Sequence, residues 1–275
     1  MSIINNKLLN RRRISVGKEL LEKMIIPTLT FGSETWNKLT EKEKENINSV
    51  QSDYIAKLLE VPGTTPKCAL IGCLNLTKIE HIANTRKLQY YVDIQNRDEN
   101  RLEVKMLKVQ QNRNMSYEKE IKELKEKYNI DICLKGENTK KIKNYIKLKI
   151  KEINDKEIEE EINNGRKAKM INEYNKNYIL NRNFEEARAI FMMLTRMIDV
   201  KTNFKNKYKN LECDVCKTEE NTHHIFKCKK YQDVNEKIKG ESIKEVLKNN
   251  NENEIAMVTK EIIRRKANEN DINTN

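Results

Sequence analysis

Seven glycines and three prolines are spread over 275 residues, too few for the tight turns that an all-β chain of this length needs. Between them, apolar residues recur at three- and four-residue intervals behind capping sequences, the mark of amphipathic helices. Thr40 with Glu43 forms a capping box, in which each residue satisfies a free amide of the other. Behind it Ile47, Val50, Tyr54, Leu58 and Leu59 make one stripe, and Val61-Pro62-Gly63 ends the helix. Pro66 stands at the favoured first position of the next helix. Thr77 with Glu80 reads as a second capping box, opening a helix to about Asn96 that carries Arg86, Lys87 and Arg97 beside Tyr90 and Tyr91. Further helices are predicted over Tyr117 to Tyr128 and over Lys140 to Ile162, the latter with Ile142, Ile146, Ile150 and Ile153 inward. Asn183 and Glu186 have N-cap and N3 character, and the helix after them, to about Val200, is the most apolar of the chain. Near the start, Ser15 is placed to cap a short helix that Pro27 stops, and Thr28 to Phe31 has the β-branched and aromatic content of a short strand. Beyond Asn249 the pattern supports one short helix, about Ile255 to Arg265, in an otherwise fraying tail.

Charge and hydropathy narrow the function. Lys and Arg number 54 against 42 Asp and Glu, a net charge of +12, and the pI is near 9.2. A mean hydropathy of -0.85 leaves a thin core and no run of apolar residues able to span a membrane. The segment Met1 to Arg13 lacks the apolar stretch of a secretory signal. The chain is therefore expected inside the cell, in nucleus or cytoplasm, where six cysteines act as thiols or metal ligands before disulfides. The basic excess favours a polyanionic partner, RNA or DNA first. An excess of Lys and Asn is also what an AT-rich genome produces, so the charge supports this reading without carrying it. The Lys140 to Ile162 helix is basic in its first half and acidic in its second, the pattern of a solvated face or of a phosphate-contacting one.

One constellation has metal-ligand spacing. Cys213, Cys216, His223 and Cys228 form C-x2-C-x6-H-x4-C, a Cys3His (CCHC) set. A two-residue gap lets two thiolates of one turn reach a single ion, and the returning loop brings a third thiolate and an imidazole to close a tetrahedron. Three sulfurs and a nitrogen select Zn²⁺ over hard cations, and a closed shell makes that zinc structural. His223 is the assigned ligand; His224 gives gaps of seven and three, which are also feasible. Lys217, Lys227, Lys229 and Lys230 with Phe226 and Tyr231 flank the ligands and are the candidate nucleic-acid-binding residues, cations for phosphates and rings for bases. Cys68, Cys73 and Cys133 lack partner spacing and are expected as small buried hydrophobes, and His81 as a structural histidine. Nucleotide-loop, metalloprotease and nucleophile-elbow motifs are absent.

The order of several segments resembles a known family. IPTLTFGSETW at Ile26–Trp36, LLEVPGTTP at Leu58–Pro66 and RKLQY at Arg86–Tyr90 are similar to stretches that follow the catalytic core in reverse transcriptases of non-LTR (LINE-like) retrotransposons. The segment Ala187–Val200, with Asn203 and Phe204, resembles the helix before their C-terminal zinc knuckle, and Cys213, Cys216, His223 and Cys228 fall on its four ligands. Cys73 and Asn75 depart from the family's usual Glu and Gly. The chain contains no Asp-Asp pair, such as the palm uses to hold two Mg²⁺ ions, and no nuclease-like carboxylate-and-lysine motif follows the knuckle.

The resemblance implies a mainly α chain: an elongated helical thumb and connector followed by a small zinc-knuckle module. Residues 1–100 would be thumb-like, 101–182 a basic and acidic helical connector, 183–231 a helix plus the knuckle, and 232–275 a charged, partly disordered tail. The implied function is that of a nucleic-acid-binding C-terminal fragment of an RNA-directed DNA polymerase, beginning after the palm and without activity alone. The alternatives are a zinc-stapled protein-interaction module and part of an active reverse transcriptase or endonuclease. Oligomeric state is not legible.

Overall fold

The structure, a computed structural model, describes residues 12–130, 138–165, 167–171, 179, 180 and 182–272. Cys133 lies outside them. Among the described residues the chain is mainly helical, as expected, and its β-pairing is one isolated antiparallel bridge between Glu212 and Glu219. No described helix is long and apolar enough to cross a membrane.

The first helix, α1, covers Arg13–Leu20. Pro27 does not stop it, and no strand forms over Thr28 to Phe31. A wider π-type turn over Leu21–Ile25 carries the chain into a further helical segment, Ile26–Leu29. There the Ile26 amide bonds to Leu21 O, five residues back. Pro27 then sits in the first turn of the new segment, where its missing amide costs little. Ser15 caps nothing, because its hydroxyl donates to Arg12 O at 2.9 Å.

Caps show where local sequence decides and where it does not. Helix α2, Glu41–Leu59, opens with the expected box: Thr40 N–H donates to Glu43 Oε2 at 2.8 Å, and Glu43 N–H to Thr40 Oγ1 at 3.3 Å. Helix α3 is Lys67–Cys73. Helix α4, Ile79–Gln95, starts without the Thr77–Glu80 box. Its free amides are taken from far along the chain, Lys78 N–H by Asn154 Oδ1 at 2.9 Å and Glu80 N–H by Asn48 Oδ1 at 3.3 Å. At Glu80 N–H the distant Asn48 oxygen takes the place that the Thr77 side chain would have in the local box. Helices α5, Leu102–Asn112, and α6, Ser116–Lys127, precede the longest, α7, Thr139–Asn164.

Several helices end on a left-handed residue that is not glycine, which explains how so few glycines suffice. Glu60, Asn114, Asn129 and Arg196 have φ of 51°, 45°, 49° and 54°. Each is followed by an amide that reaches back five residues in the Schellman pattern, as Met197 N–H does to Met192 O at 2.7 Å. Asparagine tolerates this conformation, while Glu60 and Arg196 accept a cost of roughly 1 kcal/mol. Arg196 stops helix α8 at Phe184–Leu194, short of the expected Val200.

The chain divides into two compact units. One comprises residues 1–18, 53–75 and 161–275; the other comprises 19–52 and 76–160. In the second, Leu88, Tyr91 and Val92 of α4, Leu107 of α5, Ile121 of α6 and Ile142, Ile146 and Ile150 of α7 form one core with Tyr128. Its polar centre is His81, wholly buried, with Nδ1 2.7 Å from Tyr128 OH and Nε2 2.9 Å from Glu157 Oε2. Both ring nitrogens are thus occupied, the structural role expected of this histidine. Lys87, expected beside the tyrosines as a basic feature, is buried and paired with Glu120 at 2.6 Å.

Burial raises the Glu157 carboxyl, but the His81 hydrogen bond and the His81, Lys127 and Lys78 charges outweigh it and hold the pKa at about 2, below the ordinary 4.5. A depressed folded-state pKa contributes stability that is present above the unfolded value and lost as pH falls toward the folded one. The stability difference between wild type and Glu157→Gln is accordingly expected to be largest near ~pH 6 and to shrink by ~pH 3, as read from urea midpoints. A difference that stays constant over that range would rule out an ionised Glu157 as its source.

In the other unit, among the described residues, the last helix is longer than the segment expected over Ile255 to Arg265. Helices α9, Ile243–Asn249, and α10, Glu252–Ile272, follow the metal-ligand motif, and α10 packs on α8. The period that suggested Ile255 to Arg265 is real: Ile255, Ala256, Val258 and Ile262 are buried. Against them α8 places Ala187, Ile190, Phe191 and Leu194, all buried. A strongly apolar helix needs a partner of its own length, and α10 supplies it.

Candidate metal centre

The motif opens on a tight turn. Cys213 N–H donates to Thr218 O at 2.7 Å and Lys217 N–H to Cys213 O at 2.9 Å, next to the Glu212–Glu219 bridge. Lys217 takes a left-handed conformation, φ 57°, which turns the chain immediately after Cys216. A second piece returns through two short 3-10 turns, His224–Phe226 and Lys229–Tyr231, with Cys228 between them. Asn221 sets the first of these turns, its Oδ1 accepting the His223 and His224 amides at 3.0 and 2.9 Å.

These turns bring together Cys213, Cys216, His224 and Cys228, whose ligand atoms all lie within 4.8 Å of one another. Cys228 Sγ is 3.6 Å from Cys213 Sγ and 3.7 Å from Cys216 Sγ. Sulfurs held ~2.3 Å from one ion at tetrahedral angles stand ~3.8 Å apart. The observed spacing therefore matches a shared cation.

The histidine assignment changes. His223, the residue assigned from spacing, does not join the sulfurs; its Nδ1 accepts the Ile243 amide at 3.3 Å and satisfies a donor at the start of α9. His224 joins them instead. Its Nδ1 lies 3.3 Å from Thr218 Oγ1, and its Nε2 is buried without a hydrogen-bond partner. Consecutive residues in a 3-10 turn point about 120° apart, so only one of the two can face the thiols. An orphaned imidazole nitrogen beside three sulfurs is what a metal ligand looks like before its ion is counted.

The protonation chemistry agrees. Burial holds the His224 imidazole below its ordinary value, favouring the neutral ring that a metal requires. Burial would raise Cys213, but the Cys216 and Val215 amides directed at its sulfur outweigh it and lower the thiol. Burial, with Cys213 and Cys216 close by, pushes Cys228 up to about 12. Three adjacent thiols cannot all ionise without a cation among them. Lys229 N–H donates to Cys216 Sγ at 3.4 Å, so backbone dipoles already face the sulfurs.

The candidate nucleic-acid residues separate into two groups. Lys217, Lys227, Lys229 and Lys230 are exposed, and Lys227 approaches Glu241 at 3.8 Å. Phe226 and Tyr231 are buried, at 4% and 3% exposure, so their rings are core residues and offer no stacking surface. With Ile225, also buried, these two rings fill the small core beside the turns. Thr218 and Asn221, which position the histidines, carry little sequence signal beyond an Asn placed two residues before His223.

A second group of potential ligand atoms, Glu80, His81 and Glu157, is the buried network already described. With Lys78 3.6 Å and Lys127 3.8 Å from Glu157, lysines already supply the positive charge there.

Compared with protein-family models, curated proteins and solved structures, the chain matches none.

Proposed function

We propose that this chain is a nucleic-acid-binding C-terminal part of a non-LTR retrotransposon RNA-directed DNA polymerase, lacking the catalytic palm, with a structural Zn²⁺ in its C-terminal module. The observation that supports this reading is the quartet Cys213, Cys216, His224 and Cys228, ringed by exposed lysines, at the place where the resemblance calls for a zinc knuckle. Four protein ligands fill a tetrahedron, so such an ion staples the turn and leaves no position for a reacting water. Lys217, Lys227 and Lys229 would hold phosphates, giving affinity that depends on salt and is indifferent to sequence.

Fluorescence anisotropy of the full chain with a labelled single-stranded RNA tests it. Binding is expected at ~50 mM salt, weakening steeply by ~200 mM, as counterion release demands. Absence of binding at low salt would overturn the reading. The burial of Phe226 and Tyr231 favours a second one, in which the ion staples a protein-interaction module. Under that reading Lys227→Glu, Lys229→Glu leaves RNA affinity unchanged; under the first it weakens affinity and flattens the salt slope.

A further inference from the structure

A cleft of about 660 Å³ opens between α4 and α7, inside the second unit. Its rim is cationic: Arg86 from α4 and Lys140, Lys143, Lys147 and Lys151 from α7, with no carboxylate among the lining residues. The four lysines recur every three or four positions, so they stand on one helix face with a rise of about 5 to 6 Å between neighbours. Lys143 is paired with Asp93 at 2.6 Å and Lys151 with Asp155 at 3.2 Å, which hold those two side chains in place. Lys140 and Lys147 are exposed, and no carboxylate pairs with them among the described residues. Arg86 is anchored by donating to Thr30 O at 2.7 Å. The floor is apolar, closed by half-buried Ile82 and buried Ile150.

We propose that this cleft holds a single strand of nucleic acid, its phosphates along the lysine face and a base or sugar on the isoleucine floor. The volume is that of a small-ligand pocket, far larger than one phosphate requires. A ladder of evenly spaced cations matches a polymer with evenly spaced charges better than it matches a compact anion. A duplex keeps its bases stacked inward and offers nothing to an apolar floor, whereas an unpaired strand exposes them. The anchored partners preorganise two of the lysines and leave two open for the ligand. This inference rests on the reading of the chain as a nucleic-acid binder for the identity of the strand, but not on the metal module as the place of contact.

The test uses the full chain and anisotropy with labelled single-stranded RNA, with RNA duplex and tripolyphosphate as competitors. Lys140→Glu, Lys147→Glu is expected to weaken single-strand binding at least about tenfold and to flatten the salt slope by about 1.4, two contacts at ~0.7 each. Lys140→Gln, Lys147→Gln, which keeps the helix surface neutral, should give the same slope change with unchanged circular dichroism. Lys105→Glu, Lys119→Glu, an equal charge change elsewhere in the unit, should leave the slope nearly as in wild type. Single-stranded RNA should compete better than duplex or tripolyphosphate. The proposal falls if the cleft variants bind as wild type does, if the control loses as much, or if tripolyphosphate or duplex competes as well as the strand. Loss in the cleft variants but not in Lys227→Glu, Lys229→Glu would keep the cleft and remove the metal module's share. The reverse pattern would remove the cleft alone, and a wild-type chain that binds no strand would remove both.

Discussion

Purified from cells without added metal, the chain is expected to carry about one zinc ion per molecule, and Cys213→Ser, Cys228→Ser is expected to carry none. Structural zinc contributes on the order of 10 kcal/mol or more to the folding of small modules at neutral pH. Here the module has little else: one isolated bridge, two 3-10 turns and the buried side chains of Ile225, Phe226 and Tyr231. A strong chelator should therefore open the turn around Cys213–Thr218 and Cys228, seen as loss of hydrogen-exchange protection at the amides of Cys216, Lys229 and Lys230. The amides of α8 and α10 should stay protected, because their packing does not pass through the sulfurs. His224→Ala should weaken metal retention and His223→Ala should not. Binding displaces thiol protons, so retention should also fall as pH is lowered. A metal-free chain with an intact, protected turn would contradict the assignment.

Phe191→Ala is expected to destabilise its unit by about 3 to 5 kcal/mol, the cost of removing a fully buried aromatic side chain and leaving a cavity. Phe191 is wholly inaccessible in α8, on the helix that faces α10. The two helices belong to different stretches of chain, separated by the metal module, and cannot close the gap without losing their other contacts. Phe191→Leu should recover much of the loss by refilling the volume. Equilibrium urea unfolding followed by circular dichroism measures both, and a loss below about 1 kcal/mol for the alanine variant would show that α10 is not held by this packing.

Legibility in the sequence followed the range of the interaction. The Thr40–Glu43 box and the Asn183 cap, whose Oδ1 accepts Glu186 N–H at 3.0 Å, close within three residues and were readable. The Thr77–Glu80 box has the same local signal and does not form: Glu80 N–H is taken by Asn48 from 32 residues away, and the neighbouring Lys78 N–H by Asn154 from 76 residues away. Pro27 was misleading because a helix stop depends on which amide the preceding turn leaves free. The cysteines of the candidate metal centre were legible because the thiols of one turn must be close in sequence, but the choice between two adjacent histidines was not. Phe226 and Tyr231 look alike on a surface and in a core; neither composition nor spacing distinguishes the two.

What the sequence determined by itself is the helical class and the donor set Cys213, Cys216 and Cys228. Both are written in distances of two to four residues, over which backbone geometry leaves little choice. The tertiary structure alone decided that His224 faces the sulfurs while His223 caps α9, and that the tail is a helix packed on α8. It also decided that lysines of α7 and Arg86 of α4 share one cleft. Each of those outcomes depends on which side of a turn or helix meets a partner many residues away, and no local spacing encodes that.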